Sequence, residues 1–338
     1  MEERCLSKEL KGLRIPTYDE VRAAVLKAFQ EPVPLARGVK RKGMVKHLLK
    51  IDRVYRVVDS KVFAPAEKLP NPDEVNEFYA EILAAGGVSD YKDLIWKLRG
   101  LRKAYRNLWR EYRIRVKNTL NPKESNKVAR AFVGRSLSMM RRLGTDLRKL
   151  SAVISELRKL PCIEFSQPKA VVAGMPQVGK STFVRAVSTA EPEVSPFPFT
   201  TKEIILGHAY VDHQPIQVID TPGILDRPFA ELNEVERKAL AAVRFLADIL
   251  IYMVDPTPNT YYPLDQQLDL LRSLRSVFSG KEMIVVINKA DAVNAEKVEE
   301  VEARIREVFG GEVFRISALK GVGLSDVMRR MRNLLGRS

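Results

Sequence analysis

The stretch KAVVAGMPQVGKST, residues 169–182, limits the fold more than any other part of the chain. A short apolar, β-branched run ends in glycine, a G-x-x-x-x-G-K-[ST] loop follows, and a helical pattern takes over. Such a loop grips an anion only when a strand leads in and a helix N-terminus leads out. The second half is therefore committed to strand–loop–helix units, which need parallel strands joined by crossovers. The runs EIILGHAYV, IQVID, ILIYMVD, MIVVINK and EVFRIS then alternate with helical stretches. Together they predict an α/β domain with a mostly parallel sheet and helices on both faces.

The first half has a different period. TYDEVRAAVLKAF opens on Thr17 with Glu20 three residues on, a capping-box spacing. A helical pattern runs through residues 38–60, and NPDEVNEFYAEIL has Asn71 as N-cap with Pro72 at the first helical position. Two long helices are expected over 89–119 and 125–159. In the first, Leu101, Tyr105, Leu108, Tyr112 and Val116 mark the buried face. In the second, Leu143, Leu147, Leu150, Ile154 and Leu157 form an antiparallel seam. The period changes near 160–169, where Pro161 and Pro168 flank a stretch without helical pattern. This gives an all-α helical-bundle domain over 1–165 and a P-loop α/β domain over 166–338.

Charge follows the same division. Residues 1–169 carry 37 Lys and Arg against 20 Asp and Glu, whereas residues 170–338 carry 20 against 22. Residues 101–150 alone hold 15 basic and 3 acidic residues. Such asymmetry points the first half at a polyanion; the bland alternative is a solvated basic bundle. Arg102, Lys103, Arg106, Arg110, Arg113 and Arg115 are the candidate phosphate contacts. Trp109 and the tyrosines at helical spacing belong to a core more readily than to a base-stacking platform. No apolar run of about 18 residues occurs, and MEERCLSKEL lacks the apolar stretch of a secretory signal. With only Cys5 and Cys162, far apart, reduced thiols and no zinc site are expected.

The chemistry lies in the second half. Gly174 and Gly179 let the backbone wrap phosphates, with Pro176, Gln177 and Val178 lining the loop between them. Lys180 reaches the β- and γ-phosphates, the Ser181 hydroxyl ligates Mg²⁺, and Thr182 is the next phosphate contact. The loop alone does not choose the base. NKAD at 288–291 does: Asp291 can accept from guanine N1–H and its exocyclic amine, a donor pair that adenine lacks. Asn288 ties the base edge to the loop, and the Lys289 stem packs over the purine. Ser317, Ala318 and Leu319 close the set, with the Ala318 N–H aimed at guanine O6. In DTPG, Asp220 holds Mg²⁺ through water and the Gly223 N–H senses the γ-phosphate. PFPFTTKE supplies a threonine for the remaining Mg²⁺ position, with Thr201 favoured over Thr200. Lys180, Thr201 and Gly223 are then the residues that act on the γ-phosphate. Segments 189–202 and 222–235 become two nucleotide-sensing switches, the first stiffened by Pro192, Pro196 and Pro198.

GMPQVGKST, PFPFTTKE, DTPGILDRP and NKAD together resemble the Obg-related branch of translation-factor-class GTPases. PFTTK and IDTPGILD narrow the resemblance to the nucleolar GTP-binding protein 1 family. LPNPDEVNEFYAEIL and LRKLPCIEFSQP are similar to that family's N-terminal helical domain. The resemblance implies GTP and GDP as ligands with Mg²⁺, and a role in assembling the large ribosomal subunit. It implies rRNA or a subunit precursor as partner, with ribosomal proteins beside it, and neither membrane nor DNA. The chain's end at Ser338 resembles the compact archaeal form, which gives an expectation of a cytoplasmic protein.

Two departures bear on hydrolysis. Ile224 stands where many GTPases have a glutamine that orients water, so slow unaided turnover is expected. Potassium-using relatives carry an asparagine in PNVGKS; Gln177 stands there instead and weighs against potassium stimulation. A second function class stays open: a protein-binding scaffold regulated by GTP and GDP, in which hydrolysis is incidental.

Overall fold

The computed structural model describes residues 6–227 and 229–335. In chain order the helical half holds α1 (Tyr18–Gln30), α2 (Lys42–Val58), α3 (Glu77–Ala85), α4 (Tyr91–Lys117), α5 (Pro122–Arg142) and α6 (Gly144–Leu157). Among the described residues, no helix is long and apolar enough to cross a membrane.

The chain forms two compact units whose border differs from the sequence boundary at 165. Leu10–Val75 and Gly86–Ser155 make a helical unit, while Asn76–Ala85 joins the unit that runs on from Glu156. The cause is the apolar face of α3. Phe78, Tyr79, Ile82 and Leu83 are buried, and both aromatic rings meet Phe165, at centroid distances of 5.9 and 5.4 Å. A nine-residue helix cannot stand alone, so it packs where its apolar face is covered.

Local chemistry explains the helix ends. Thr17 and Glu20 complete the capping box of α1. Asn71 does not cap α3; it precedes a 3₁₀ turn at Pro72–Glu74, and Val75 is extended. The cap is Asn76, whose Oδ1 accepts the Tyr79 N–H at 3.0 Å. The second long segment is likewise two helices, broken at Leu143, whose N–H bonds back to Met140 O at 3.1 Å. The leucine seam crosses that break in step, with Leu143, Leu147, Leu150, Ile154 and Leu157 all buried. Inside the helical unit, α2 packs against α1, α4 and α5. Its centre is an aromatic layer in which Tyr55 stacks on Trp109 at 4.5 Å and on Tyr105 at 5.5 Å. Trp109 is half-buried, with its Nε1–H on Asp52 Oδ1 at 2.8 Å.

The second unit is built on β1 (Lys169–Ala173), β2 (Glu193–Pro196), β3 (Glu203–Val211), β4 (Gln214–Asp220), β5 (Ile249–Val254), β6 (Glu282–Ile287) and β7 (Val313–Arg315). The sheet order is β2-β3-β4-β1-β5-β6-β7. Pairs from β4 through β7 are parallel, and β3 runs antiparallel to both β2 and β4. Every residue of β1 and β5 is buried, which requires cover on both faces. Cover comes from α7 (Lys180–Val187), α8 (Glu234–Leu246), α9 (Leu264–Val277), α10 (Ala295–Phe309) and α11 (Leu324–Leu335). Strand β2 lies inside the segment read from sequence as the first switch; its one proline, Pro196, is tolerated because it is the edge strand.

Cys162 is disulfide-bonded rather than the reduced thiol expected. Cys5 lies outside the described residues.

Candidate nucleotide-binding site

The C-terminal ends of β1, β4, β5, β6 and β7 deliver the motif residues to one edge of the sheet, where open α/β sheets bind ligands. Gly174 follows β1 with φ +141°; a Cβ there would lie 2.5 Å from Met253 O. Gly179 begins α7 with φ +100°, and a Cβ there would run into Asn288 Nδ2. Both glycines are required by neighbours as well as by backbone shape. Gln177 holds the left-handed conformation too, at φ +67°. Its carbonyl, turned outward by that conformation, accepts from Lys289 Nζ at 2.9 Å.

Lys180 is buried, and its ammonium donates to Gly174 O at 2.8 Å and Met175 O at 3.0 Å. Burial pushes its pKa down, opposed by the charges of Asp220 and Asp226. Asp220 shows the converse: burial raises its pKa, while Lys180 and the Ser181 hydroxyl pull it back. Ser181 Oγ donates to Asp220 Oδ2 at 2.7 Å, and Asp220 Oδ1 and Thr221 Oγ1 are buried without a partner. An orphan carboxylate oxygen beside a hydroxyl suits a hard cation such as Mg²⁺. Among the described residues no group of three histidine, cysteine or acidic side chains is placed to hold a metal ion. Ser181 and Asp220 are the residues that would hold it.

The third expected Mg²⁺ ligand is not brought in. Thr201 is exposed, and Thr200 spends its hydroxyl on the chain, donating to Phe197 O and accepting from Lys202 N, each at 3.0 Å. The Gly223 N–H, expected to meet a γ-phosphate, donates to Asp226 Oδ2 at 2.8 Å.

On the base side Asn288 is the hub. Its N–H donates to Val254 O at 2.8 Å, its Nδ2 donates to Val178 O at 2.7 Å, and its Oδ1 accepts the Ala318 N–H at 2.9 Å. Asn288 thus ties the phosphate loop at Val178 to the segment at Ala318. The Ala318 N–H is a correction: it serves Asn288 rather than pointing at an open O6 position, which satisfies a buried amide. Lys289 is fixed by Asp255 Oδ2 at 2.6 Å, itself buried. Asp291 pairs with Lys320 at 2.8 Å; hydrogen bonds from Lys320 and Ser317 hold its carboxyl below the usual range, so it stays an acceptor. Ser317 is buried, and Leu319 is exposed to solvent. Pro176 and Val178 sit within the loop, and Thr182 is in the first turn of α7.

Asp255, Asp226 and Lys202 complete the site, none of them given a role from the sequence, although PFTTK ends on Lys202 and IDTPGILD on Asp226. A hint existed for two of them: Asp255 ends ILIYMVD and Asp226 lies in DTPGILD, both carboxylates past the C-terminal ends of strands.

The six basic candidates of α4 separate. Arg102 is 18% exposed, grips Asp59 at 2.8 and 2.9 Å and also pairs with Glu67. It is withdrawn as a nucleic-acid contact, because a π-helical turn at Asp59–Phe63 extends α2 and brings both carboxylates to it. Arg113 lies over the Trp109 ring at 5.0 Å and beside Asp52 at 3.5 Å, and Arg115 pairs with Glu111 at 3.3 Å. Lys103, Arg106 and Arg110 are exposed and have no ion-pair partner among the described residues.

Comparison with known proteins agrees with this geometry. The model of the NOG1 N-terminal helical domain matches residues 35–164, and that of the 50S ribosome-binding GTPase matches residues 169–289. An uncharacterized protein of Methanocaldococcus jannaschii is 32% identical over 248 residues, covering 73% of this chain and 67% of its own. Nucleolar GTP-binding protein 1 of Drosophila melanogaster is 30% identical, covering 77% of this chain and 41% of its own. The Arabidopsis thaliana protein of that name is 27% identical over 317 residues, covering 90% and 46%. The chain belongs to the nucleolar GTP-binding protein 1 family. As a member of the nucleolar GTP-binding protein 1 family it carries a GTPase domain, built on the site described above. The match spans under half the length of the Drosophila and Arabidopsis relatives.

Proposed function

We propose that this chain is a GTP-hydrolysing switch in large-ribosomal-subunit assembly, docking on rRNA through its helical unit. GTP and GDP are its ligands, Mg²⁺ its metal, and the cytoplasm its compartment. The observation that carries the guanine reading is the Asn288 hub, which couples phosphate loop, NKAD and SAL through two side-chain hydrogen bonds. The reading of rRNA as partner is supported by Lys103, Arg106 and Arg110, exposed on a helix that faces the solvent with a strong basic excess. Trp96, 52% exposed under the Arg99 guanidinium at 5.1 Å, adds a stacking surface suited to unpaired bases. The ribosome-binding description of the matching GTPase model points the same way.

Turnover is proposed to be slow unaided, because Ile224 is 1% exposed and offers no hydrogen bond to water. GTP turnover measured in potassium and in sodium buffers, each with and without large ribosomal subunits, tests this. The expected result is a rate that rises with the subunits and is indifferent to the cation. Fast turnover in sodium without subunits would sink the slow-switch reading.

A further inference from the structure

Lys202 ends the first switch segment, and its backbone is held on both sides. Its N–H donates to Thr200 Oγ1 at 3.0 Å and its carbonyl accepts the Phe197 N–H at 2.8 Å. That turn sends the side chain across the second switch. A Cβ placed on Gly223 would lie 2.5 Å from Lys202 Cδ and 2.9 Å from both Cε and Nζ. The Cβ–N span within a residue is fixed, so Nζ is at most about 5.5 Å from the Gly223 nitrogen. That nitrogen already donates to an anionic oxygen, Asp226 Oδ2, at 2.8 Å. The amide is thus shaped for an anion, with Lys202 beside it and with Lys180 and Asp220 both within electrostatic reach of Asp226.

The contact that holds Lys202 there is loose. Its Nζ is 3.9 Å from Glu236 Oε1, and the side chain is 27% exposed. Glu236 does not depend on it, because Arg227 donates to the same oxygen at 2.5 Å and the Asn233 N–H reaches Oε2 at 3.1 Å. A distant, partly exposed pair of this kind adds little stability, so moving Lys202 toward a new anion costs little.

We propose that Lys202 is a catalytic residue of this GTPase, a cation delivered from its own first switch to the γ-phosphoryl group. It would share the part that a glutamine at position 224 or a loop-bound potassium takes elsewhere. In the step, the water oxygen bonds to the γ-phosphorus as the bond from that phosphorus to the β–γ bridging oxygen breaks. The electron pair stays on GDP, and the water proton leaves with the phosphate. The Lys202 ammonium neutralises charge on the transferring oxygens. The inference rests on the reading that the chain hydrolyses GTP.

The test uses the full chain with Lys202→Met and Lys202→Arg. Single-turnover hydrolysis, GDP affinity, and affinity for GDP with aluminium fluoride, a mimic of the transferring phosphoryl group, are measured for each. Lys202→Met is expected to slow hydrolysis by about 10²- to 10³-fold. It should weaken the aluminium fluoride complex in parallel and change GDP affinity less than about threefold, within the scatter of a surface substitution. Lys202→Arg should recover part of the rate. An unchanged rate in the methionine variant overturns the proposal, and so does a loss of GDP affinity as large as the loss of rate. Wild-type chain that binds GTP and never hydrolyses it overturns the hydrolysis reading itself, and the proposal with it.

Discussion

Asp291 is the acceptor on which the proposed choice of base rests, and its surroundings keep it charged. Hydrogen bonds from Lys320 and Ser317 hold the carboxyl low, so it stays an ionised acceptor at neutral pH. Asp291→Ala should weaken GDP binding by about 10²- to 10⁴-fold, the loss of two charge-assisted hydrogen bonds. Titration calorimetry with GDP and ADP checks it; equal affinities for both in the wild type would refute the guanine assignment. His47 offers a second test at this scale. Its Nδ1 lies 2.7 Å from Ser125 Oγ, and burial, with Lys50 and Lys46 nearby, holds its pKa below 6.5. Between the folded pKa and about 6.5 the unfolded chain therefore binds the extra proton. Stability contributed above that range is lost as pH falls through it. The helical unit should melt at a lower temperature at about pH 5 than at neutral pH, and His47→Gln should flatten part of that slope. An identical slope in the variant would remove His47 from the cause.

Elements show where sequence was sufficient and where it was not. The strands β1, β5 and β6 were legible because a buried parallel strand is a nearly unbroken apolar run, and Gly174, Lys180, Asp220 and Asn288 were legible because each follows or ends a strand. The break at Leu143 was not, because the leucine period runs through it unchanged. Nor was the attachment of α3, since an amphipathic face says that it is covered and not by what. Arg102 illustrates the same limit: a guanidinium on a basic helix looks free until a turn far back in sequence supplies Asp59 and Glu67. If α3 belongs to the GTPase unit, Phe78→Ala, at a position 1% exposed, should cost about 3–5 kcal/mol there. GDP raises the melting temperature of whichever unit binds it, and that same transition is the one that should fall. A fall confined to the GDP-insensitive transition would contradict the packing.

The whole molecule joins a nucleotide site to a basic helical unit, and in the proposed function the first governs what the second holds. The full chain can be sedimented with large ribosomal subunits across a salt series, in a non-hydrolysable GTP analogue or in GDP. The comparison is with a chain carrying Lys103→Glu, Arg106→Glu and Arg110→Glu, the exposed cations without an ion-pair partner among the described residues. Arg102→Ala is the contrasting variant, expected to lose stability through its unpaired carboxylates while binding persists. The predicted result is tighter binding in the GTP analogue than in GDP, falling steeply with salt. The triple reversal should reduce that slope by about two to three, near 0.7–0.9 for each phosphate that is no longer neutralised. Binding that is equal in both nucleotides, insensitive to salt and untouched by the reversal would contradict the account.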